Sequence, residues 1–200
     1  MRSDAEANRR EILGAAGRLI AEQGLGVSMR TIAQAAGVGI GTLYRHFATR
    51  EDLLIGLANS ILDDVGAAAE RFHESQGSLE ARWRGYVLSL VNLNVGALAG
   101  SLRTETHLRE TDPFVQRRER TMSGIGTVLQ VVRDHDLVAA DVTVSRFLVG
   151  IIQFTRPLPA DAPTDFNGET AWLLDVYLGG LRSPNRASAG LFSGQAAGTL

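Results

Sequence analysis

Residues 28–50 read SMRTIAQAAGVGIGTLYRHFATR, and this stretch predicts two short helices joined by a tight glycine turn. Ser28 is a favourable N-cap for the first helix, and Gly37 can adopt the left-handed backbone conformation that such a turn requires. In the second helix Leu43 and Phe47 stand four residues apart, so both side chains face the same, inner side. The layout is that of a helix-turn-helix.

The outer side of the second short helix carries polar groups. Because successive residues of a helix are about 100° apart, the side opposite Leu43 and Phe47 faces outward. That side holds Gly41, Thr42, Tyr44 and Arg45. A hydroxyl, a phenol, a guanidinium and a gap for close backbone approach suit base edges and phosphates. Three arginines and no acid occur between residues 28 and 50, which favours a polyanionic partner.

Helical periodicity continues on both sides of this stretch, and no period-2 alternation indicates a strand. Thr49, Asp112 and Asp141 are expected to cap later helices. The predicted helices are Ala5–Gln23, Met29–Ala36, Gly39–Phe47, Arg50–His73, Leu79–Ala99, Arg103–Glu110, Pro113–His135, Val142–Phe154 and Gly168–Leu181. We therefore expect an all-α fold of about nine helices.

The composition of the 200 residues is that of a globular protein, with 44% hydrophobic and 21% charged residues. The absence of cysteine excludes disulfides and thiolate metal sites. The charged N-terminal residues do not resemble a signal peptide, and no apolar run is long enough to span a bilayer. These features predict a soluble, cytoplasmic protein with no membrane partner. Residues 1–50 hold seven arginines against four acids, whereas the remainder holds thirteen against eighteen, so a basic segment precedes an acidic body.

The N-terminal third resembles the DNA-binding domain of the TetR family of transcriptional regulators, over about residues 9–68. The matching residues are Ile12-Leu13, Ala16, Leu19 to Gly24, Ser28 to Ala33, Ala36-Gly37-Val38, Gly41 to Phe47 and Arg50 to Leu54. The resemblance implies double-stranded operator DNA as a partner, and a third helix that lies in the major groove.

The same resemblance implies roles for individual residues. Thr42, Tyr44 and Arg45 are similar to the family's base-contacting positions, and His46 and Arg50 to residues that hold phosphates. The full expected DNA-binding set is Arg30, Thr31, Gly41, Thr42, Tyr44, Arg45, His46 and Arg50. The alternatives are that Tyr44 is a half-buried core aromatic, that His46 is only solvated, and that Arg50 only pairs with an acid.

Gly39-Ile40 departs from the family pattern, which often has Ser followed by a polar residue there. Without the serine, the helix that begins here loses a side-chain cap and one possible phosphate contact. Ile40 either contacts a thymine methyl or flanks the core.

The C-terminal part carries apolar and aromatic residues on several helices. The resemblance implies a cavity for a small-molecule effector, whose expected lining is Trp83, Tyr86, Leu90, His107, Phe114, Met122, Phe147, Ile151 and Phe154. Ordinary helical core is the alternative for each of these residues. A polar cluster of Arg103, Glu105, Thr106 and His107 either orients the effector or forms the exposed face of a short helix.

The last two predicted helices are apolar over more than one face, which favours a homodimer through a four-helix bundle. Gly150, Gly179 and Gly180 would permit close helix approach. The expected interface comprises Phe147, Leu173, Val176, Tyr177, Gly180 and Leu181. The alternative is that this apolar surface packs entirely within one chain.

These expectations combine into a ligand-responsive, homodimeric transcriptional regulator, most simply a repressor on a palindromic operator, with no cofactor and no metal. The expected domains are residues 9–68 for DNA binding, 69–182 for effector binding and dimerisation, and 183–200 as a disordered tail. The alternatives are an activator, or a helical small-molecule-binding protein with weakened DNA binding. An enzyme is disfavoured because the four histidines are scattered and show no metal-ligand spacing.

Overall fold

The computed structural model describes residues 2–96, 112–155 and 170–183, and these form helices without any strand. The helices are α1 (Arg2–Gln23), α2 (Met29–Ala35), α3 (Ile40–His46), α4 (Arg50–Glu74), α5 (Leu79–Asn92), α6 (Asp112–Arg133), α7 (Val144–Phe154) and α8 (Thr170–Arg182). The prediction of an all-α fold is confirmed, with eight helices in the described ranges. The helix predicted at Arg103–Glu110 and nearly all of the predicted tail lie outside those ranges.

A first hydrophobic core joins α1, α2, α3 and the beginning of α4. The apolar residues of α1 recur at helical spacing, so one stripe faces the two short helices. The buried members are Ile12, Leu13, Ala16, Ile20, Val27, Ile32, Ala33, Leu43, Phe47, Leu53, Leu54 and Leu57. This small core holds the helix-turn-helix as a unit.

A second, larger core joins the rest of α4 to α5, α6, α7 and α8. The residues at its centre include Phe72, Trp83, Tyr86, Val87, Leu90, Ile125, Leu129, Phe147, Ile151 and Leu174. Because α4 contributes Leu57 to the first core and Val65 to the second, one continuous helix connects the two cores. Ile61 packs against both. The predicted domain division at residue 68 stays a prediction, although the cores meet within α4.

Polar contacts also fasten the middle of α4 to α6. The Arg117 guanidinium donates to the Asp63 carboxylate, and the Thr121 hydroxyl donates to the Leu62 carbonyl at 3.2 Å. These contacts link α6 to the helix that leads into the first core.

Side-chain caps are present at four of the eight helix starts in the described ranges, those of α2, α4, α5 and α7. Ser28 caps α2, and Thr49 and Asp52 form a reciprocal capping box at α4, as the residue types predict. The prediction that Asp141 is an N-cap is wrong, because the Thr143 hydroxyl accepts from the Arg146 amide and caps α7. The Asp141 carboxylate instead pairs with the Arg146 guanidinium at 2.8 Å.

Two helices end earlier than the apolar pattern predicted. Helix α5 ends at Asn92, and not at Ala99, because Asn94 turns the chain with a φ of 49°. Helix α6 ends at Arg133, before Asp136 with a φ of 58°. Asn and Asp tolerate this left-handed conformation better than most residues, so they serve as helix terminators. Among the helices in the described ranges, none combines the length and apolarity needed to cross a membrane.

Candidate nucleic-acid interface

The turn between α2 and α3 is built around Gly37 and Ala33. Gly37 has a φ of +67°, as the sequence predicted, and the Val38 amide donates to the Ala33 carbonyl at 3.0 Å. Ala33 is buried, so its small side chain lets the two short helices approach. This geometry sets the direction in which α3 leaves the turn.

The outer side of α3 is accessible. Tyr44 is 48% exposed, which argues against its alternative interpretation as a core aromatic. Gly41 and Arg45 are also exposed, and Thr42 and His46 are half-buried beside them. Within the described ranges, no hydrogen bond or ion pair occupies the side chains of Tyr44 and Arg45. A phenol and a guanidinium are thus free to meet another molecule.

Helix α2 adds Arg30 and Thr31 at the edge of this surface, and both are exposed. The Thr31 hydroxyl lies 2.8 Å from the Ser28 hydroxyl, so it belongs to the cap of α2. The Thr31 hydroxyl therefore already has a partner. The Arg30 side chain makes no hydrogen bond or ion pair with the described residues.

The start of α3 lacks a side-chain cap. Gly39 occupies the N-cap position and makes no side-chain hydrogen bond, in agreement with the weak start predicted from Gly39-Ile40. Ile40 is 37% exposed and lies at the first turn. An apolar group thus stands where the outer side of α3 begins.

Arg50 has an internal role that the sequence did not suggest. Its guanidinium donates to the Val27 carbonyl at 2.6 Å and also to the Leu25 carbonyl. Arg50 therefore fastens the start of α4 to the loop before α2, and the alternative of a simple pair with an acid does not hold. Its contact with phosphate stays a prediction, and the two carbonyls compete for the same donors.

The residues expected to line an effector cavity are largely brought together, but they are closely packed. Trp83, Tyr86, Leu90, Phe147 and Ile151 are all buried in the second core. Met122 and Phe154 pack against them half-buried, whereas Phe114 is not part of this cluster. Phe114 is therefore removed from the expected lining of the cavity. His107 and the rest of the predicted polar cluster lie outside the described residues.

The residues expected at a dimer interface divide into two groups, apart from Tyr177, which is half-buried and whose hydroxyl donates to the Phe147 carbonyl. Phe147 and Leu181 are buried within the chain, so assigning their side chains to an interface was wrong. Gly150 also packs against a residue of its own chain, since an added Cβ would lie 2.5 Å from the Tyr177 Cε2. Leu173 and Val176 are exposed, and Gly180 is open.

Two further exposed apolar residues were missed, Val149 on α7 and Trp172 on α8. Trp172 precedes Val176 by four residues, a helical spacing that could have identified it as a member of the same face. We call Val149, Trp172, Leu173 and Val176 the α7–α8 patch. Each of them is at least 43% exposed.

No group of three or more His, Asp or Glu side chains in the part of the chain that the structure describes is arranged to hold a metal ion.

Comparison with known proteins identifies the N-terminal region. The family described as "Bacterial regulatory proteins, tetR family" matches residues 12–57. An HTH-type transcriptional regulator of Staphylococcus aureus (strain USA300) is 44% identical over 64 residues, which are 32% of this chain and 35% of the relative. The match thus spans about a third of the length of these curated relatives.

Solved structures resemble nearly the whole chain. The TetR regulator SCO0520 from Streptomyces coelicolor has a TM-score of 0.65 at 24% identity, covering 87% of this chain and 98% of that one. The TetR-like regulator LfrR from Mycobacterium smegmatis, solved with proflavine, has a TM-score of 0.65 at 25% identity, covering 89% and 96%. The matched sequence lies in the helix-turn-helix, and the matched fold extends through the second core.

Proposed function

Because the chain belongs to the tetR family of bacterial regulatory proteins through its N-terminal region, we propose that it regulates transcription by binding operator DNA as a homodimer. The observation that carries this proposal is the outer side of α3. Tyr44 and Arg45 stand exposed there, on a rigid helix held by the first core. A guanidinium can donate two parallel hydrogen bonds to guanine, and a phenol can reach bases or phosphates.

Dimerisation supplies the specificity that one short helix lacks. Two copies of α3 would read two half-sites, with centres about 34–36 Å apart or at a multiple of that distance. The α7–α8 patch is the surface that a second copy would cover, because it is apolar, exposed and distant in sequence from the DNA-reading side chains. A symmetric dimer needs a self-complementary surface, and two helices per protomer that pair with those of a second copy in a four-helix bundle provide one.

The proposed regulation depends on α4. Since α4 contributes to both cores and is bonded to α6, a molecule that shifts the second core would change the distance between the two copies of α3. An effector alters DNA affinity only by its differential affinity for the two arrangements. A difference of about 3 kcal/mol would weaken operator binding roughly 150-fold. We place the protein in the cytoplasm as a repressor that is released by its effector.

The experiment that tests this function is selection of bound duplexes from random DNA by the purified protein. The selected duplex is then titrated at 50 mM and 200 mM salt. We expect a palindromic sequence, and an affinity that falls steeply with salt because phosphate contacts release counterions. The control variant Arg84→Ala removes a positive charge from α5, where Arg84 pairs with Asp175, and not from α3. Failure to enrich any sequence would contradict the proposal and favour a helical small-molecule-binding protein.

A further inference from the structure

Two buried hydrogen-bond donors on α5 have no acceptor. The indole Nε1 of Trp83 and the hydroxyl of Tyr86 are enclosed and unpaired within the described residues. Trp83 is only 2% exposed and Tyr86 only 3%, so water does not reach them freely either. An unpaired buried donor costs about 1–3 kcal/mol, and native proteins rarely leave such groups without a reason. Two of them three residues apart indicate that an acceptor is supplied from outside.

The surroundings of these donors are aromatic. The Trp83 and Tyr86 rings stack with centroids 5.8 Å apart, and the Phe147 ring lies 5.5 Å from Trp83 and 6.4 Å from Tyr86. Such rings favour a flat partner that can stack between them. The same core contains Tyr177, whose hydroxyl donates to the Phe147 carbonyl at 2.9 Å. The Tyr177 hydroxyl is thus paired. The other enclosed unpaired donor in the described residues, Arg133 Nε, belongs to a guanidinium that donates to the Gln130 side chain and the Val142 carbonyl.

Open grooves reach both donors' side chains. Tyr86 lines a groove of about 270 Å³ between α4 and α5, bordered by the small residues Ala81 and Gly85. Trp83 lines a second groove of about 270 Å³ between α5 and α8. Each volume is close to the lower end of the range for small-molecule sites. A ligand that enters from either groove reaches the stacked pair by displacing one ring.

The charge of the ligand follows from the state of the arginines that border the two grooves. The Arg82 guanidinium donates to the Phe72 carbonyl, Arg84 pairs with Asp175, and Arg71 and Arg182 are exposed. A carboxylate placed among the rings would lose its hydration and would have to compete with those partners for a cation. Burial also raises the pKa of Tyr86, so its hydroxyl stays protonated and available as a donor.

We propose that the effector of this protein is a flat, uncharged molecule with a carbonyl-type oxygen, which stacks among Trp83, Tyr86 and Phe147 and accepts hydrogen bonds from Trp83 Nε1 and the Tyr86 hydroxyl. This inference rests on the proposed function, since it assigns a chemical class to the effector. The site lies against α4, the helix that joins the two cores, because Tyr86 and Phe72 line the same groove.

The test compares 9-fluorenone with fluorene, two flat molecules that differ in the carbonyl oxygen. The chain has two tryptophans, so a ¹⁵N spectrum of the full chain holds two indole N–H signals, and Trp172→Phe assigns them. We expect 9-fluorenone to shift the Trp83 signal and to bind at least tenfold more tightly than fluorene. Tyr86→Phe should remove roughly tenfold of the fluorenone affinity, a factor equivalent to one hydrogen bond of ordinary strength. Tyr177→Phe is the matched control and should leave the preference for fluorenone over fluorene intact.

Stability of the free protein provides the second readout. Tyr86→Phe should keep or raise the thermal midpoint, because it removes an unsatisfied group, whereas Tyr177→Phe should lower it. A lower midpoint for Tyr86→Phe would mean that the hydroxyl already has a partner, and would overturn the proposal. So would equal affinity for both molecules, binding of neither, or tighter binding of 9-fluorenone-4-carboxylate. Operator binding without ligand is measured in parallel, so failure of the proposed function is seen separately.

Discussion

The guanidinium of Arg50 donates to the main-chain carbonyl of Val27 across 2.6 Å and so joins the first turn of α4 to the loop that precedes α2. It reaches the Leu25 carbonyl as well, so one side chain bonds to two carbonyls of the loop before α2. Charge-assisted bonds to carbonyls are stronger than neutral ones. These contacts hold the loop and α4 together. They could not be predicted from the sequence, because the partners are more than twenty residues apart.

Replacement of Arg50 by alanine is expected to lower the free energy of unfolding by about 1–3 kcal/mol, because two carbonyls lose their donor. Urea denaturation measures the change. Arg30→Ala is the control, since Arg30 is exposed and should change stability by less than about 0.5 kcal/mol. If Arg50→Ala reduced DNA affinity at unchanged stability, a phosphate contact alone would be its role.

Arg45→Ala is expected to weaken binding to the selected operator by roughly 10-fold to 150-fold and to relax the preference at one base pair, because a bidentate base contact is worth about 1–3 kcal/mol. Tyr44→Ala should also weaken binding. Titration against the operator and single-base variants of it measures both effects. An Arg45→Ala protein that retained the full base preference would show that α3 does not read the groove with this side.

Gly37→Ala is expected to destabilise the protein by about 1–2 kcal/mol, because alanine is strained at a φ of +67°. Space is not the reason, since an added Cβ would have no neighbour within 4 Å. Gly41→Ala is the matched control, because Gly41 also has open space but lies within helix α3. There alanine should stabilise by up to about 1 kcal/mol. Comparing the thermal unfolding midpoints of the two variants isolates the effect of the backbone conformation at Gly37. Equal shifts of the two midpoints would contradict this reasoning.

Val176→Glu, alone or with Leu173→Glu, is expected to convert a dimer into monomers, because a buried unpaired carboxylate disfavours an apolar interface. Analytical ultracentrifugation measures the mass, and operator affinity should fall with the loss of the dimer. Gln116→Glu adds the same charge on an exposed position of α6 and should leave the mass unchanged. A Val176→Glu protein with unaltered mass would place the α7–α8 patch outside the interface.

Gly150→Ala is expected to cost about 1–3 kcal/mol, since the new methyl would overlap the Tyr177 ring and force α7 away from α8. Gly179→Ala is its control, because an added Cβ there meets no atom within 4 Å. Unfolding midpoints compare the two. If Gly150 instead served only contact between copies, the variant would lose dimerisation at unchanged monomer stability.

Features that depend on near neighbours in the chain were predictable from the sequence. The caps at Ser28 and Thr49 and the positive φ at Gly37 arise from interactions over two to five residues, so the residue types alone indicate them. The inward pair of Leu43 and Phe47 follows from helical spacing, and both are buried. The family resemblance rests on this same local pattern.

The long-range features required the tertiary structure. An apolar residue on α7 or α8 can serve an internal core or a partner, and only the packing of α8 on α7 separates buried Phe147 from exposed Val176. From the sequence, Gly150 could equally lie in the core or at an interface between copies, and the structure shows the Tyr177 ring packed against it. The unpaired donors of Trp83 and Tyr86, and the bonds of Arg50, depend on which atoms distant helices bring near. Periodicity specifies which side of a helix is apolar, but the surface that covers that side is decided by the free energy of packing all the helices together.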